Sequence, residues 1–160
     1  MEGFLKKVNS TPRLSLVLKI CCHVATALSI LAFVYLGVGF FGHSPMAGAM
    51  YLVTLGVPFV LVSLLRKLIN APRPYELYDF YENPPKKKSG DSFPSRHAFS
   101  IFAIGTIAIF VNLPVAITLL FFGFLMCFCR VALGIHFIRD VLTGSLIGFI
   151  SSVIGALIFM

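Results

Sequence analysis

The sequence predicts an all-α fold, an integral membrane helical bundle of about five transmembrane helices in a single domain covering residues 1–160. Three observations predict it. Hydrophobic residues make up 58% of the chain and charged residues only 12%, a balance far from that of a soluble globular domain. The apolar residues fall in runs long enough to cross a hydrocarbon layer of about 30 Å at roughly 1.5 Å per helical residue. The charges cluster between those runs instead of interleaving with aromatics along a solvated face. Lys+Arg 13 against Asp+Glu 6 leaves a formal charge of +7, and in that arrangement it points to a membrane surface and anionic headgroups, not to nucleic acid.

The elements follow in order. Met1 to Ser15 carries Lys6, Lys7 and Arg13, and the apolar run behind it is too long for a signal-peptide core and lacks a small-residue cleavage site, so it is expected to stay attached. The first span covers about Ser15 to Phe41, with Lys19 snorkelling to the headgroups and His23, one turn on, packed or interfacial. Gly42-His43-Ser44-Pro45 turns the chain into a second span from about Met46 to Ile69, with a kink expected at Pro58. Asn70 to Pro94 is the one substantial aqueous segment, holding Arg73, Glu76, Asp79, Glu82, Lys86, Lys87, Lys88, Asp91 and five prolines. Within it, Tyr75 to Tyr81 reads as a short amphipathic surface helix and Pro84 to Gly90 as a loop whose lysines face water or headgroups.

A third span opens at Ser95 and ends near Asn112-Leu113-Pro114, a connection short enough only for a tight hairpin. The fourth runs to about Leu133, Gly134 breaks it, and the fifth runs from about Phe137 to the C-terminus. Gly144 and Gly148 stand in small-xxx-small spacing, which lets a neighbouring helix approach closely. Cys21, Cys22, Cys127 and Cys129 all fall in apolar runs and read as buried thiols, neither a disulfide framework nor a zinc site.

Counting spans puts the segments after the second and fourth on the same side as the N-terminus, while the other two turns and the C-terminus carry no Lys, Arg, Asp or Glu. Three charged clusters are thereby expected to converge on one membrane face. Arg66, Lys67 and Arg73 follow span two, with Pro72 and Pro74 holding the backbone extended so that the Arg73 guanidinium is aimed. Ser95, Arg96 and His97 open span three, where unpaired backbone N–H groups and a hydroxyl make an anion site. Arg130, His136 and Asp140 occupy the last seam. If the chain is helical from residue 136, Asp140 lies on the same face as His136 and can accept a hydrogen bond from one ring nitrogen, leaving the other free. An oriented imidazole beside a fixed guanidinium suits attack on a phosphate ester. The blander reading of these clusters is a positively charged stop, a serine N-cap and a pair of interfacial cations.

Together, Arg66 with six residues to Arg73-Pro74, then Pro94-Ser95-Arg96-His97, then Arg130 with five residues to His136 and three to Asp140, resemble the three-part signature of the type 2 phosphatidic acid phosphatase and vanadium haloperoxidase superfamily. The resemblance implies His136 as nucleophile, Asp140 as the residue orienting it, and His97 as general acid and then base. It implies Arg66, Arg73, Ser95 and Arg130 as holders of the phosphoryl oxygens, and for the phosphatases neither metal nor cofactor. Three positions depart from the family pattern. Arg66 stands where lysine is usual, with the neighbouring Lys67 as the competing phosphate ligand; Cys129 replaces a serine; and Arg96 replaces a glycine, placing a long cation beside the phosphate pocket.

The resulting expectation is a membrane phosphatase acting on a lipid substrate: phosphatidylglycerophosphate, phosphatidic acid, or a polyprenyl phosphate or diphosphate. The added cation of Arg96 favours a headgroup bearing a second negative group. Lys6, Lys7, Arg13 and the Lys86 to Lys88 triplet favour a cytoplasmic over an extracytoplasmic active face in the cell membrane. A catalytically silent bundle that binds anionic lipid on the same basic face is the alternative.

Overall fold

The computed structural model describes residues 2–78 and 90–159, and the elements among them are all helical. They are α1 (Glu2–Asn9), α2 (Pro12–His43), α3 (Pro45–Ile69), α4 (Pro74–Leu77), α5 (Arg96–Val111), α6 (Leu113–Ala132) and α7 (Ile138–Phe159). Of these, α2, α3, α6 and α7 are long and apolar enough to cross a membrane, and α5 is a shorter apolar helix. The five-helix membrane bundle read from the sequence is the observed one.

Proline and short polar side chains set the helix ends. Pro12, Pro45 and Pro114 sit in first turns, where their missing N–H is no loss. The Ser44 hydroxyl accepts from Ala47 N at 3.0 Å to start α3. A single residue, Asn112, joins α5 to α6, its N–H closing on Ala108 O at 2.7 Å and its Oδ1 accepting from Val115 N at 3.2 Å. That is the tight hairpin the sequence required. Helix α3 runs unbroken through Pro58.

Helix α5 is the centre of the bundle. Every residue from Ala98 to Ala108 except Ser100 is buried, because α2, α3, α6 and α7 all pack around it. A helix apolar on all sides must be covered on all sides or face lipid, and here protein supplies the cover. Lipid covers the outer faces of the other four, where Leu31, Leu68, Phe124 and Leu157 are exposed.

Close approach of α7 to α5 rests on the glycine stripe. A Cβ on Gly144 would meet the Ser95 carbonyl, and one on Gly148 the Phe99 carbonyl. These obstacles are backbone, which has no rotamer to yield. Gly144→Ala should therefore destabilise the protein by about 1–3 kcal/mol, read as a lower thermal midpoint in detergent; an unchanged midpoint would mean the helices have room to part.

Two local expectations are corrected, and one element is new. The N-terminal arm is itself helical: α1 buries Leu5 and Val8, and Asn9 Nδ2 reaches Ala132 O at the end of α6, at 3.5 Å. Within the stretch expected to be helical from Tyr75 to Tyr81, α4 covers only Pro74–Leu77; residues 79–81 lie outside the described residues, as do the lysine triplet and all of the Pro84 to Gly90 loop except Gly90. Helix α7 begins at Ile138, so His136 stands before the helix and not on it.

Candidate active site

The C-terminal ends of α3 and α6 and the N-terminal ends of α5 and α7 meet on one face, bound to one another through the segment 90–95. That segment is held at almost every residue. Gly90 N donates to Glu76 Oε1 at 2.7 Å while Arg73 Nε donates to Gly90 O at 3.0 Å. Asp91 N donates to Asn70 Oδ1 at 3.3 Å, and Ser92 N to Ala71 O at 2.9 Å. Arg66 Nη1 donates to Pro94 O at 2.7 Å and its Nη2 to Asp91 O. Ser95 N donates to Asp140 O at 2.9 Å, tying α5 to α7. Gly90 at φ 73° and Asp91 at φ 56° turn the chain through left-handed conformations, which glycine adopts without cost and aspartate tolerates.

The α6–α7 seam presents the second histidine. Gly134, at φ 64°, reverses the chain so that Ile135 N and His136 N both close on Arg130 O, at 3.0 and 3.3 Å. The five-residue spacing between Arg130 and His136 is the length of that reversal. Asp140, wholly buried, accepts from Phe137 N at 2.9 Å through Oδ2. His136 Nδ1 lies 3.6 Å from the same oxygen, beyond hydrogen-bond reach. Ser92 fills the gap: its Oγ is 2.5 Å from Asp140 Oδ2 and 3.3 Å from His136 Nδ1. The direct histidine–aspartate bond expected from helical spacing is thus replaced by a three-member chain, because the seam is not helical at residue 136. Burial pushes the His136 ring down to about 4, with Asp140 pulling the other way and the guanidiniums of Arg130 and Arg73 adding to the fall.

Most of the expected site residues come together. Arg66, Arg96, Arg130 and His136 are all electrostatic neighbours of His97, and Arg73 and Arg130 are neighbours of Arg66. Arg130 carries a buried Nε with no hydrogen-bond partner, an N–H whose cost is recovered when an anion arrives. Ser95, fully buried, caps α5 by accepting from Ala98 N at 3.5 Å. Lys67 is not brought in: it is exposed, whereas Arg66 one residue earlier is buried and bonded. Arg66 itself spends two donors on backbone carbonyls, so it shapes the segment 90–95 besides facing the cluster. Cys129 is buried beside the free thiols of Cys21 and Cys22. Ser92 and Glu76 were missed as site residues; their place in the densest polar stretch of the chain was the available signal.

Beside the cluster lies a cavity of about 520 Å³ between α2, α3 and α5. Arg96 and His97 line one end and Phe99, Ala103, Ile104 and Met126 the interior, while the rim carries Ile30 and Leu52, both exposed. The Arg96 guanidinium sits 5.9 Å over the Phe59 ring at that same end, a cation–π position. Among the described residues no three His, Cys, Asp or Glu side chains converge as metal ligands do; the fixed positive charge of the site is guanidinium.

A family model described as the PAP2 superfamily matches residues 47–160. The structure is similar to that of the first transmembrane PAP2-type phosphatidylglycerolphosphate phosphatase from Bacillus subtilis, with TM-score 0.73 and 25% identity over 98% of this chain and 83% of that one. It also has the fold of LpxE from Aquifex aeolicus, with TM-score 0.69 and 22% identity over 97% of this chain and 93% of that one. Among curated proteins none matches.

Proposed function

The chain belongs to the PAP2 superfamily, and on that premise we propose that it is a multi-pass membrane phosphatase that removes phosphate from a lipid through a phosphohistidine intermediate, without a metal. The observation that carries the proposal is the cavity: a slot lined by apolar side chains whose polar end is His97 and Arg96, with Arg130, whose buried Nε has no partner, an electrostatic neighbour of His97. An anion binds at the cluster while its hydrocarbon chain occupies the slot. The similarity to a phosphatidylglycerolphosphate phosphatase supports the lipid class, and makes phosphatidylglycerophosphate the first substrate to try, ahead of phosphatidic acid and polyprenyl phosphate or diphosphate.

In the first step the His136 Nε2 lone pair attacks phosphorus in line. The P–O bond to the leaving group breaks as His97 gives that oxygen a proton, and Arg73 and Arg130, with Arg66 behind them, stabilise the equatorial oxygens. In the second, His97 takes a proton from water, which attacks the phosphorus and releases phosphate from His136. The active face is cytoplasmic, on the bias of Lys6, Lys7 and Arg13.

Phosphate release from these four lipids in detergent micelles tests the reading. Release by the wild-type chain and its loss in His97→Ala support it; tight binding of the same lipids with no release at all would leave a silent lipid-binding bundle instead. Arg96 adds a specificity prediction. Because its guanidinium stands at the polar end of the slot, Arg96→Gly should lower kcat/KM about tenfold or more for headgroups with a second negative group, the scale of one charge-assisted hydrogen bond, and leave phosphatidic acid less affected. An unchanged ratio between the two substrates would remove Arg96 from substrate selection.

A further inference from the structure

Ser92 occupies a position that neither the spacing of the charged clusters nor the mechanism above requires. It is wholly buried, its N–H is fixed to Ala71 O at 2.9 Å, and Arg66 grips the carbonyls of Asp91 before it and Pro94 after it. Its hydroxyl has one proton and two neighbours, Asp140 Oδ2 at 2.5 Å and His136 Nδ1 at 3.3 Å.

We infer that Ser92 is a positioning residue that sets the reactive tautomer of His136, carrying to the ring the influence of a carboxylate that stands 3.6 Å from Nδ1 without hydrogen-bonding to it. The inference follows from counting donors and acceptors. An ionised carboxylate only accepts, so at 2.5 Å the Ser92 proton belongs to Asp140 Oδ2. With its proton committed, the Ser92 oxygen can only accept from Nδ1. Nδ1 must then carry the ring's hydrogen, which leaves the lone pair on Nε2. The opposite arrangement, a protonated Asp140 donating to Ser92 and Ser92 donating to Nδ1, is opposed at the carboxylate itself, where Phe137 N–H points at Oδ2 from 2.9 Å and Arg139 Nε stands 3.6 Å from Oδ1. As the Nε2–P bond forms the ring becomes cationic, and the chain Nδ1–H to Ser92 to Asp140 shortens electrostatically without any proton changing owner.

This deepens the phosphatase reading and rests on it only for its kinetic arm, so the experiment has two arms. Histidine ¹⁵N spectra of the full chain in micelles, with His136 assigned by its disappearance in His136→Asn, should show one tautomer, protonated at Nδ1. Ser92→Ala should give a mixture, and Ser92→Thr, which restores the hydroxyl, the single tautomer. In the kinetic arm Ser92→Ala should lower kcat about 10- to 100-fold, the scale of losing a residue that orients an active group, with KM nearly unchanged and Ser92→Thr recovering most of the loss. A thermal midpoint checks that each variant is folded; if Thr does not fit, the alanine spectra still decide. A Ser92→Ala protein whose His136 stays wholly Nδ1-protonated overturns the inference, whatever the activity. If no variant, wild type included, releases phosphate, the phosphatase reading falls while the tautomer result stands by itself.

Discussion

Turnover of a His136→Ala enzyme is expected to fall by at least about three orders of magnitude, the scale of removing a nucleophile, with lipid binding retained. Alanine leaves Arg130 and Arg73 in place, so the anion still finds its guanidiniums. On the proposed mechanism, what disappears is the lone pair that displaces the leaving group. Rapid alkaline quench with radiolabelled substrate, which preserves the acid-labile P–N bond, should trap phosphate on the wild-type protein and none on the variant. The same residue fixes the acid side of the pH profile. His136 reacts only when neutral, and burial holds its ring near 4 in the free enzyme. Below that value the imidazolium has no lone pair; above it the nucleophile is fully available. The rising limb of kcat/KM due to His136 should therefore lie near pH 4, well below the 6.5 of an ordinary histidine. Bound phosphate favours the cationic ring, so the matching limb of kcat should lie higher. A kcat/KM limb at 6.5 would mean that the ring is solvated in the working enzyme.

Asp140→Asn is the second large effect, about a thousandfold to ten-thousandfold in kcat, reaching the loss seen when the orienting carboxylate of a hydrolase is neutralised. The amide can keep both hydrogen bonds now made by Oδ2, from Phe137 N–H and Ser92 O–H, so the fold and the position of the ring should survive. The negative charge does not survive, and on the proposed mechanism it is what offsets the cation created when Nε2 bonds to phosphorus. The expected signature is a low kcat with KM and thermal midpoint close to wild type. A drop confined to KM would make Asp140 a binding residue, and a collapse of the midpoint would make it a structural one.

The bundle was legible because hydropathy reports what each run must be dissolved in. Span limits read as Met46 to Ile69 and about Phe137 onward differ from α3 and α7 by a residue, since Ser44-Pro45 and Gly134 act locally and leave a mark in the sequence. Convergence of the three clusters was legible for the same reason. The wiring between them was not. Spacing of four suggested a direct bond from His136 to Asp140, but that inference borrowed a helix that starts two residues too late. Likewise, the choice between Arg66 and Lys67 is a matter of helical phase: adjacent residues point about 100° apart, and only packing reveals which of the two turns inward. Ser92 was invisible as an orienting residue because its partner lies 48 positions away.

One consequence of the sideways slot concerns what happens after chemistry. With Ile30 and Leu52 at its rim, the slot faces the hydrocarbon, whereas the arginine cluster sits at the ends of the helices. On the proposed reaction the two products therefore leave into different phases: the dephosphorylated lipid slides back into the leaflet it came from, and inorganic phosphate diffuses into water.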